Sequence, residues 1–375
     1  MSPLGSYRAD SDFIATLLLP HGSCRHQKRR MRVFVSEFVC GGGWPEKEIP
    51  ASLCREGRAM LLSVLVDMLR LPEVHVVTTW DERLGPFPLP AMHQWRSRLT
   101  VHSVNGARHE QELFSTLSQQ VDRVLVIAPE LDDILTDRIE FLQQREIATC
   151  NCSVEATKLC SDKFALYEWL SMRGIPTIPT RMLKDGPGDW TGPLVLKRRD
   201  GAGSTGTQRV RSLDEIPFIE AAQQADWILQ PEIPGRALSM AVIFDHNTPS
   251  VHLPVSEQHL GDEGRFQYLG GFMPARDVPI EVIHQIVDSV AADLDGLQGY
   301  VGVDLLVPAD QTEAVLLVEI NPRLTTSYLG ARSLCTSSLA RWLLDPSHSA
   351  APRFVGEVHF RPDDEIVFEQ ELSCR

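Results

Sequence analysis

Residues 300–328 read YVGVDLLVPADQTEAVLLVEINPRLTTSY, and the rest of the chain can be interpreted from this stretch. Two apolar, β-branched runs, residues 301–307 and 314–320, flank a short polar turn, which predicts a β-hairpin. Each run carries one carboxylate where a buried strand is normally apolar, Asp304 in the first and Glu319 in the second. An ionised side chain inside a strand is costly unless a positive charge meets it, so the two acids indicate a shared cation.

Asn321 and Arg323 extend the same pattern. Asn321 lies two residues beyond Glu319, so in an extended strand both side chains lie on one face, and the hairpin can bring Asp304 beside them. Three oxygen ligands on a rigid face suit Mg²⁺, with Mn²⁺ as the alternative, because the remaining positions stay open to water and phosphates. Arg323 is a planar donor suited to phosphate or carboxylate. The competing interpretation is a set of surface acids paired with lysines.

The segments GVDLL and VEINPR resemble the metal-binding end of the ATP-grasp superfamily, whose members mostly join a carboxylate to an amine or another nucleophile through an acyl phosphate. The continuation NPRLTTSYLG resembles the small ATP-grasp ligases that include tyramine-glutamate ligase. The resemblance spans residues 151–344. It implies an ADP-forming carboxylate-amine ligase that uses ATP and Mg²⁺, with Arg323 stabilising the acyl phosphate and an amino acid such as glutamate as one substrate.

A lysine and a glycine-rich loop are candidates for binding the nucleotide phosphates. Residues 193–197, PLVLK, predict a strand that ends in Lys197, and RRDGAGSTGT follows as a loop between two antiparallel strands. Exposed backbone amides allow such a loop to fold over a triphosphate, although a linker or hairpin turn has the same composition. The family resemblance assigns phosphate contacts to Lys197 and to Lys163, which lies in residues 153–179, a segment predicted to be helical with a stop at residues 174–176. The loop candidates are Gly201, Gly203, Ser204, Thr205 and Gly206.

Residues 227–235, WILQPEIPG, resemble the family hinge that holds adenine between two lobes. The candidates there are Gln230, Pro231, Glu232 and Ile233. The resemblance implies that Pro231 offers its carbonyl, that Glu232 supplies its backbone N–H, and that Ile233 packs on the ring. Ala237 stands where relatives often carry a ribose-binding glutamate, and Glu232 is the replacement that we expect.

Residues 258–276 resemble the substrate loop of the small ligases. Arg265, Gln267, Tyr268 and Arg276 are therefore candidates for holding a carboxylate substrate, whereas each of them alone is typical of plain surface.

The predicted fold class is α/β, with α+β nucleotide lobes: an ATP-grasp fold preceded by a parallel-sheet (pre-ATP-grasp) domain. We expect a loose extension over residues 1–30, the α/β domain over 31–150, and the small lobe over 151–230. The C-terminal lobe with the metal hairpin follows over 231–345, and residues 346–375 form an added strand or hairpin. Helices are predicted over residues 52–71, 110–120, 134–145, 280–294 and 333–344.

Two sites in the first domain remain open. Residues 40–44, CGGGW, follow the first predicted strand; they lack the spacing of a dinucleotide loop, which leaves a tight turn without a ligand or a loop that lines the second-substrate cleft. Glu130, Asp132 and Asp133 follow the third predicted strand. They are more typical of a charge cluster at a helix N-terminus than of metal ligands.

Composition restricts the partners and the location. The 375 residues carry a net charge of −14, which argues against a nucleic-acid partner. Eight scattered cysteines and the lack of a membrane-length apolar run predict a cytoplasmic protein that acts on small molecules. A homo-oligomer remains open. The rival functions are an ATP-binding regulatory protein without turnover and a carboxylase or kinase on the same fold.

Overall fold

The computed structural model of the protein describes residues 29–45, 47–88, 95–201, 203, 206–261 and 263–362. Its strands form one parallel and two antiparallel sheets, so the predicted mixed α/β class with an N-terminal parallel sheet is confirmed. The extension predicted over residues 1–30 lies outside the described residues up to residue 28. None of the helices in the described ranges is both long and apolar enough to cross a membrane.

The parallel sheet has four strands in the order β3-β2-β1-β4. Its inner strands, β1 and β2, are buried on both faces, as expected of apolar strands covered by helices. Strand β3 does not follow from the sequence, because LTVHSV has no apolar run and its alternation is broken by two consecutive polar residues, His102 and Ser103. The elements are β1 (Met31–Glu37), α1 (Ala51–Leu69), β2 (Val74–Asp81), β3 (Leu99–Val104), α2 (Ala107–Ser118), β4 (Arg123–Ile127) and α3 (Ile134–Gln144).

A smaller antiparallel sheet follows, in the order β5-β8-β6-β7. Strands β6 and β7 are antiparallel neighbours, which confirms that the glycine-rich loop connects two such strands. The segment predicted to be helical from residue 153, with a stop at residues 174–176, is helical and ends before that stop, but it forms two helices. Asp162 lies between them and accepts hydrogen bonds from the backbone N–H groups of Phe164 and Ala165. The elements are α4 (Val154–Ser161), α5 (Lys163–Met172), β5 (Arg181–Met182), β6 (Leu194–Arg198), β7 (Gln208–Val210) and β8 (Trp227–Pro231).

The largest sheet is antiparallel and has seven strands, six of them in the order β14-β13-β9-β11-β12-β15, with β10 paired to β9. The predicted hairpin is confirmed as β13 and β14, and Asp304 lies directly opposite Glu319. The elements are β9 (Gly235–Asp245), β10 (Thr248–His252), β11 (Ser256–Leu260), β12 (Tyr268–Met273), α6 (Ile280–Asp293), β13 (Gly299–Pro308), β14 (Leu316–Asn321), α7 (Ser327–Leu334), α8 (Ala340–Leu344) and β15 (Val358–Phe360).

The closing helix predicted over residues 333–344 is wrong, because the chain forms two short helices there. Cys335 makes a bridge to Phe354 instead of continuing α7. The hydroxyl of Ser338 donates to the backbone carbonyl of Asp67, an example of a short polar side chain that competes with helical hydrogen bonding. In the C-terminal segment, β15 confirms an added strand, and residues 363–375 lie outside the described ranges.

The turn after β1 is buried. Gly42 has a φ of 98° and packs so closely that a Cβ there would overlap Val104. Glu37 accepts hydrogen bonds from the N–H groups of Val39 and Cys40, and burial raises its pKa to about 7. These contacts favour a tight turn without a ligand.

Asp67 on α1 connects the helix layer of the parallel sheet to the C-terminal helices. Its Oδ2 accepts hydrogen bonds from the Tyr328 hydroxyl at 2.6 Å and from the Ala340 N–H at 2.8 Å. The carboxylate is buried, and burial raises its pKa although the charge of Arg332 acts in the opposite direction. A buried acceptor with two donors ties α7 and α8 to the first domain.

We predict that Asp67→Ala lowers the free energy of unfolding by about 2–4 kcal/mol, because two interior donors lose their acceptor. Chemical denaturation followed by circular dichroism measures this. Asp293→Ala is the control: Asp293 is half-exposed and pairs with Arg173 at the surface, so its loss should cost less than about 0.5 kcal/mol. Equal losses in the two variants would contradict the role of Asp67.

Candidate active site

A cavity of about 670 Å³ lies among α1, the small sheet and the seven-stranded sheet. This volume is typical of a small-molecule site. Most of the residues singled out from the sequence line it, although they come from distant parts of the chain. They are Lys163, Lys197, Gly201, Gly203, Gln230, Pro231, Glu232, Ile233, Tyr268, Asp304, Glu319, Asn321 and Arg323.

Asp304, Glu319 and Asn321 meet on the hairpin face that borders the cavity. Asn321 Nδ2 and Gln258 Nε2 donate to the two oxygens of Asp304, at 3.2 Å and 3.0 Å. Loss of solvation, followed by the charge of Glu319, raises the pKa of Asp304. An ionised carboxylate that a facing carboxylate destabilises is suited to a divalent cation.

The donor set fits Mg²⁺ better than a metal that needs a full protein cage. No group of three His, Cys, Asp or Glu residues able to hold a metal occurs in the described ranges. Two carboxylates and the amide oxygen of Asn321 leave several coordination positions for water and phosphate, which Mg²⁺ retains in most protein sites. Asp304, Glu319 and Asn321 would hold the ion.

Two lysines from the smaller sheet region face the acids. Lys163 Nζ lies 3.2 Å from Glu319 Oε2, and Lys197 is 8% exposed. Burial lowers the pKa of Lys197 to about 8, although the charge of Glu319 acts in the opposite direction. Desolvation raises the pKa of Glu319, but the charges of Lys163 and Lys197 outweigh this effect and lower it. The cavity therefore presents cationic and anionic groups side by side.

Described residues of the glycine-rich loop border the cavity. Lys163 Nζ also donates a 2.6 Å hydrogen bond to the carbonyl of Gly201, which holds the start of the loop next to the acids. Gly203 lines the cavity, and Gly206 has a φ of 75° beside Trp227. Ser204 and Thr205, predicted to contact phosphate, lie outside the described residues.

The hinge residues follow β8, and their backbone pairing corrects one expectation. The N–H of Glu232 donates to the carbonyl of Pro193 at 2.9 Å, so the prediction that it supplies a donor to adenine is wrong. The cause is the continued pairing with the strand next to it. The carboxylate of Glu232 pairs with Arg209, and the Gln230 side chain donates to Thr180.

Arg323 is held by an acid from the parallel-sheet domain. Its Nε lies 2.8 Å from Glu130 Oε1, and its Nη2 donates to Glu130 Oε2 at 2.9 Å. A third nitrogen, Nη1, donates to the carbonyl of Leu324. Glu130 lies at the start of a short helix, as predicted, but it is buried and pairs with Arg323 instead of facing solvent. The neighbouring Asp132 is exposed and pairs with Arg198.

Of the candidates in the substrate loop, Tyr268 borders the cavity and the others do not. Burial raises the pKa of Tyr268, and its hydroxyl interacts with Thr326. Arg265 and Gln267 are exposed and lie outside the cavity lining. Arg276 is exposed, pairs with Glu357 at 2.5 Å and also lies outside it.

The cavity also contains residues that the sequence did not reveal. The hydroxyls of Tyr300, Thr325 and Ser327 lie 2.8–3.0 Å apart, and Thr325, Thr326 and Ser327 line the cavity. Three consecutive hydroxyl residues after NPRL were a signal for such a cluster. Glu56, on α1, gave no signal, because one acid on an amphipathic helix is typical of a solvated face.

Known proteins share this architecture. Residues 160–327 match the ATP-grasp domain family, and residues 74–157 match the pre ATP-grasp 3 domain. The chain is 26% identical over 329 residues to a tyramine–L-glutamate ligase of Methanocaldococcus jannaschii, covering 85% of this chain and 90% of that protein.

Two solved structures have the same fold. A crystal structure from Archaeoglobus fulgidus, assigned to the ATP-grasp superfamily, superposes with a TM-score of 0.65 at 25% identity, covering 88% of this chain and 92% of that one. The Staphylococcus aureus N5-carboxyaminoimidazole synthetase complexed with ADP has a TM-score of 0.63 at 15% identity, covering 87% and 80%.

We predict that Asp304→Asn and Glu319→Gln change the melting temperature of the metal-free protein in opposite directions. Asp304→Asn removes a charge that Glu319 destabilises, so the melting temperature should rise by about 2–4 °C. Glu319→Gln removes the carboxylate that compensates Lys163 and Lys197, so the melting temperature of this variant should fall by a similar amount. Thermal unfolding in a chelator measures both, with the exposed Glu313→Gln as the control. Shifts of the same sign would contradict this charge arrangement.

Proposed function

Because this chain belongs to the ATP-grasp superfamily of ATP-dependent ligases, we propose that it phosphorylates a substrate carboxylate and joins it to an amine, releasing ADP. One observation carries the proposal. The acids Asp304 and Glu319 share a cavity wall with Lys163 and Lys197, so divalent-metal ligands and phosphate-binding cations meet at one point. Such a pairing is suited to phosphoryl transfer, where positioning and charge neutralisation provide most of the catalysis.

The lysines and the glycine-rich loop would bind the triphosphate. Lys197 is rigid on its strand and poorly solvated, so its ammonium is available as a localised charge for phosphate. Lys163 would exchange part of its contact with Glu319 for a phosphate oxygen. The backbone amides of Gly201 and Gly203 would donate hydrogen bonds to the triphosphate. Mg²⁺, when bound, neutralises phosphate charge.

The hinge would hold adenine through two backbone groups. Neighbouring residues of a strand point their backbone groups in opposite directions, and Glu232 points toward Pro193. The carbonyl of Pro231 and the N–H of Ile233 therefore point away from that strand, and a purine edge offers the complementary donor and acceptor. We therefore propose the Pro231 carbonyl and the Ile233 N–H as the adenine-binding groups, in place of the N–H of Glu232. The Glu232 carboxylate remains our candidate for binding the ribose.

Arg323 would stabilise the negative charge of the carboxylate and of the acyl phosphate formed from it. The two contacts to Glu130 and the one to Leu324 fix its orientation before substrate binds. Preorganised donors of this kind need no reorganisation during the reaction. The amine then attacks the acyl carbon, and phosphate leaves.

The substrates that we propose first are those in the name of the archaeal relative, L-glutamate as the carboxylate and tyramine as the amine. The hydroxyls of Tyr268, Thr325, Thr326 and Ser327 give the far end of the cavity a polar lining, which suits a small amino acid. Six unpaired cysteines in the described residues support a cytoplasmic location.

A screen of carboxylic acids with ATP, Mg²⁺ and hydroxylamine tests the proposal. An acyl phosphate reacts with hydroxylamine, so we expect ADP together with a hydroxamate, and L-glutamate should be among the active acids. AMP and pyrophosphate would contradict phosphoryl transfer. ATP binding without turnover across the panel would favour a regulatory protein.

We predict that Lys197→Ala lowers kcat/KM in this assay by about 100-fold or more, because a phosphate contact contributes to binding and to the rate. Lys184→Ala is the matched control, since Lys184 is an exposed lysine of the same region and should leave kcat/KM unchanged. Equal activity in the two variants would contradict the proposed contact between Lys197 and the phosphates.

A further inference from the structure

Glu56 is a carboxylate in the cavity wall that the proposed reaction does not use. It lies in the second turn of α1 and borders the cavity together with Met60, one turn further along the same helix face. A Cβ placed on Gly203 of the glycine-rich loop would lie 3.5 Å from Glu56 Oε2, so the carboxylate lies under that loop. The parallel-sheet domain thus contributes an acid to the cavity.

Glu56 is also the charge in this wall that lacks a counterpart. The other charged side chains that line the cavity face opposite charges, whereas Glu56 has neither an ion pair nor a hydrogen bond within the part of the chain that the structure describes. The matched sets are Lys163–Glu319, Arg198–Asp200, Arg209–Glu232, Arg236–Glu257, Arg323–Glu130 and Lys197 with Asp304 and Glu319.

The surroundings of Glu56 compensate its negative charge only in part. Burial raises the pKa of Glu56, and the opposing effects of Arg323 and Arg55 do not cancel that shift. Arg323 already has its counter-ion in Glu130, so Glu56, Glu130 and Arg323 together carry one excess negative charge, and Arg55 is exposed to solvent. A partly desolvated carboxylate gains most from a ligand that is both a cation and a hydrogen-bond donor.

We propose that Glu56 binds the primary ammonium group of a substrate and positions that substrate in the cavity. The class of ligand is an organic ammonium with an apolar body, because Met60 offers apolar surface on the same helix face and the Tyr268 ring also lines this cavity. The inference rests on the proposed ligase function. The ammonium is that of the amine substrate, which must lose a proton to the Glu56 carboxylate or to water before its nitrogen attacks, or the α-ammonium of an amino-acid substrate, and the two are separable by experiment.

The test compares wild type, Glu56→Gln and Glu112→Gln, the last an exposed glutamate of α2 that serves as the control. Hydroxamate formation is measured with L-glutamate and with glutarate, which lacks the ammonium, and amide formation is measured with tyramine. Hydroxylamine is neutral at neutral pH, so the hydroxamate assay works without an ammonium on the nucleophile.

We expect Glu56→Gln to raise one KM by about tenfold or more, because a charge-assisted hydrogen bond is lost. If only the KM for tyramine rises, Glu56 binds the ammonium of the attacking amine. If the KM for L-glutamate rises and that for glutarate does not, Glu56 binds the α-ammonium of the amino acid. The KM for ATP should stay constant, and Glu56→Asp should recover part of the loss.

Three results would overturn the inference: unchanged KM values for all substrates, an equal rise for L-glutamate and glutarate, or a rise for ATP. Wild type and Glu112→Gln both keep Glu56, so their activity tests the ligase function independently of the role of Glu56.

Discussion

The repulsion between two carboxylates on neighbouring strands is the constraint on which the site depends. Asp304 and Glu319 are directly paired in the hairpin, and neither can move away without a change of strand register. Lys163 and Lys197 compensate Glu319 from the smaller sheet region, whereas Asp304 keeps a raised pKa. The site is thus incompletely neutralised by the chain itself, and a divalent ion with phosphates supplies the remaining charges. Binding of the nucleotide and the contact of Lys163 and Lys197 with the hairpin then depend on the same set of charges.

The parallel-sheet domain takes part in the site through side chains. Glu130 orients Arg323 by two contacts, and Asp67 accepts hydrogen bonds from Tyr328 and Ala340 on the far side of the same segment. The residues between these anchors carry the hydroxyls of Thr325, Thr326 and Ser327. A segment fixed at both ends can present these groups in one geometry, which is what positioning of a small substrate needs.

Local patterns predicted much of this site, and long-range pairing accounts for most of the rest. Short segments contain the hairpin, its three oxygen ligands and the strand that ends in Lys197. The pattern of apolar and polar residues in each segment is visible in the sequence. Glu130 lies 193 residues from Arg323, so no local pattern joins them. The N–H of Glu232 was assigned to adenine, but its bond to Pro193 depends on the register of neighbouring strands. Asp67 caps α8 from 273 residues away, which no helix propensity of the closing segment indicates.

The central claim is that the substrate carboxylate attacks the terminal phosphate of ATP. The most direct measurement follows a heavy oxygen isotope placed in both oxygens of that carboxylate, with mass spectrometry of the products. The account predicts that a labelled oxygen appears in inorganic phosphate for each amide formed, together with unlabelled ADP. Labelled AMP, or phosphate without label, would contradict it.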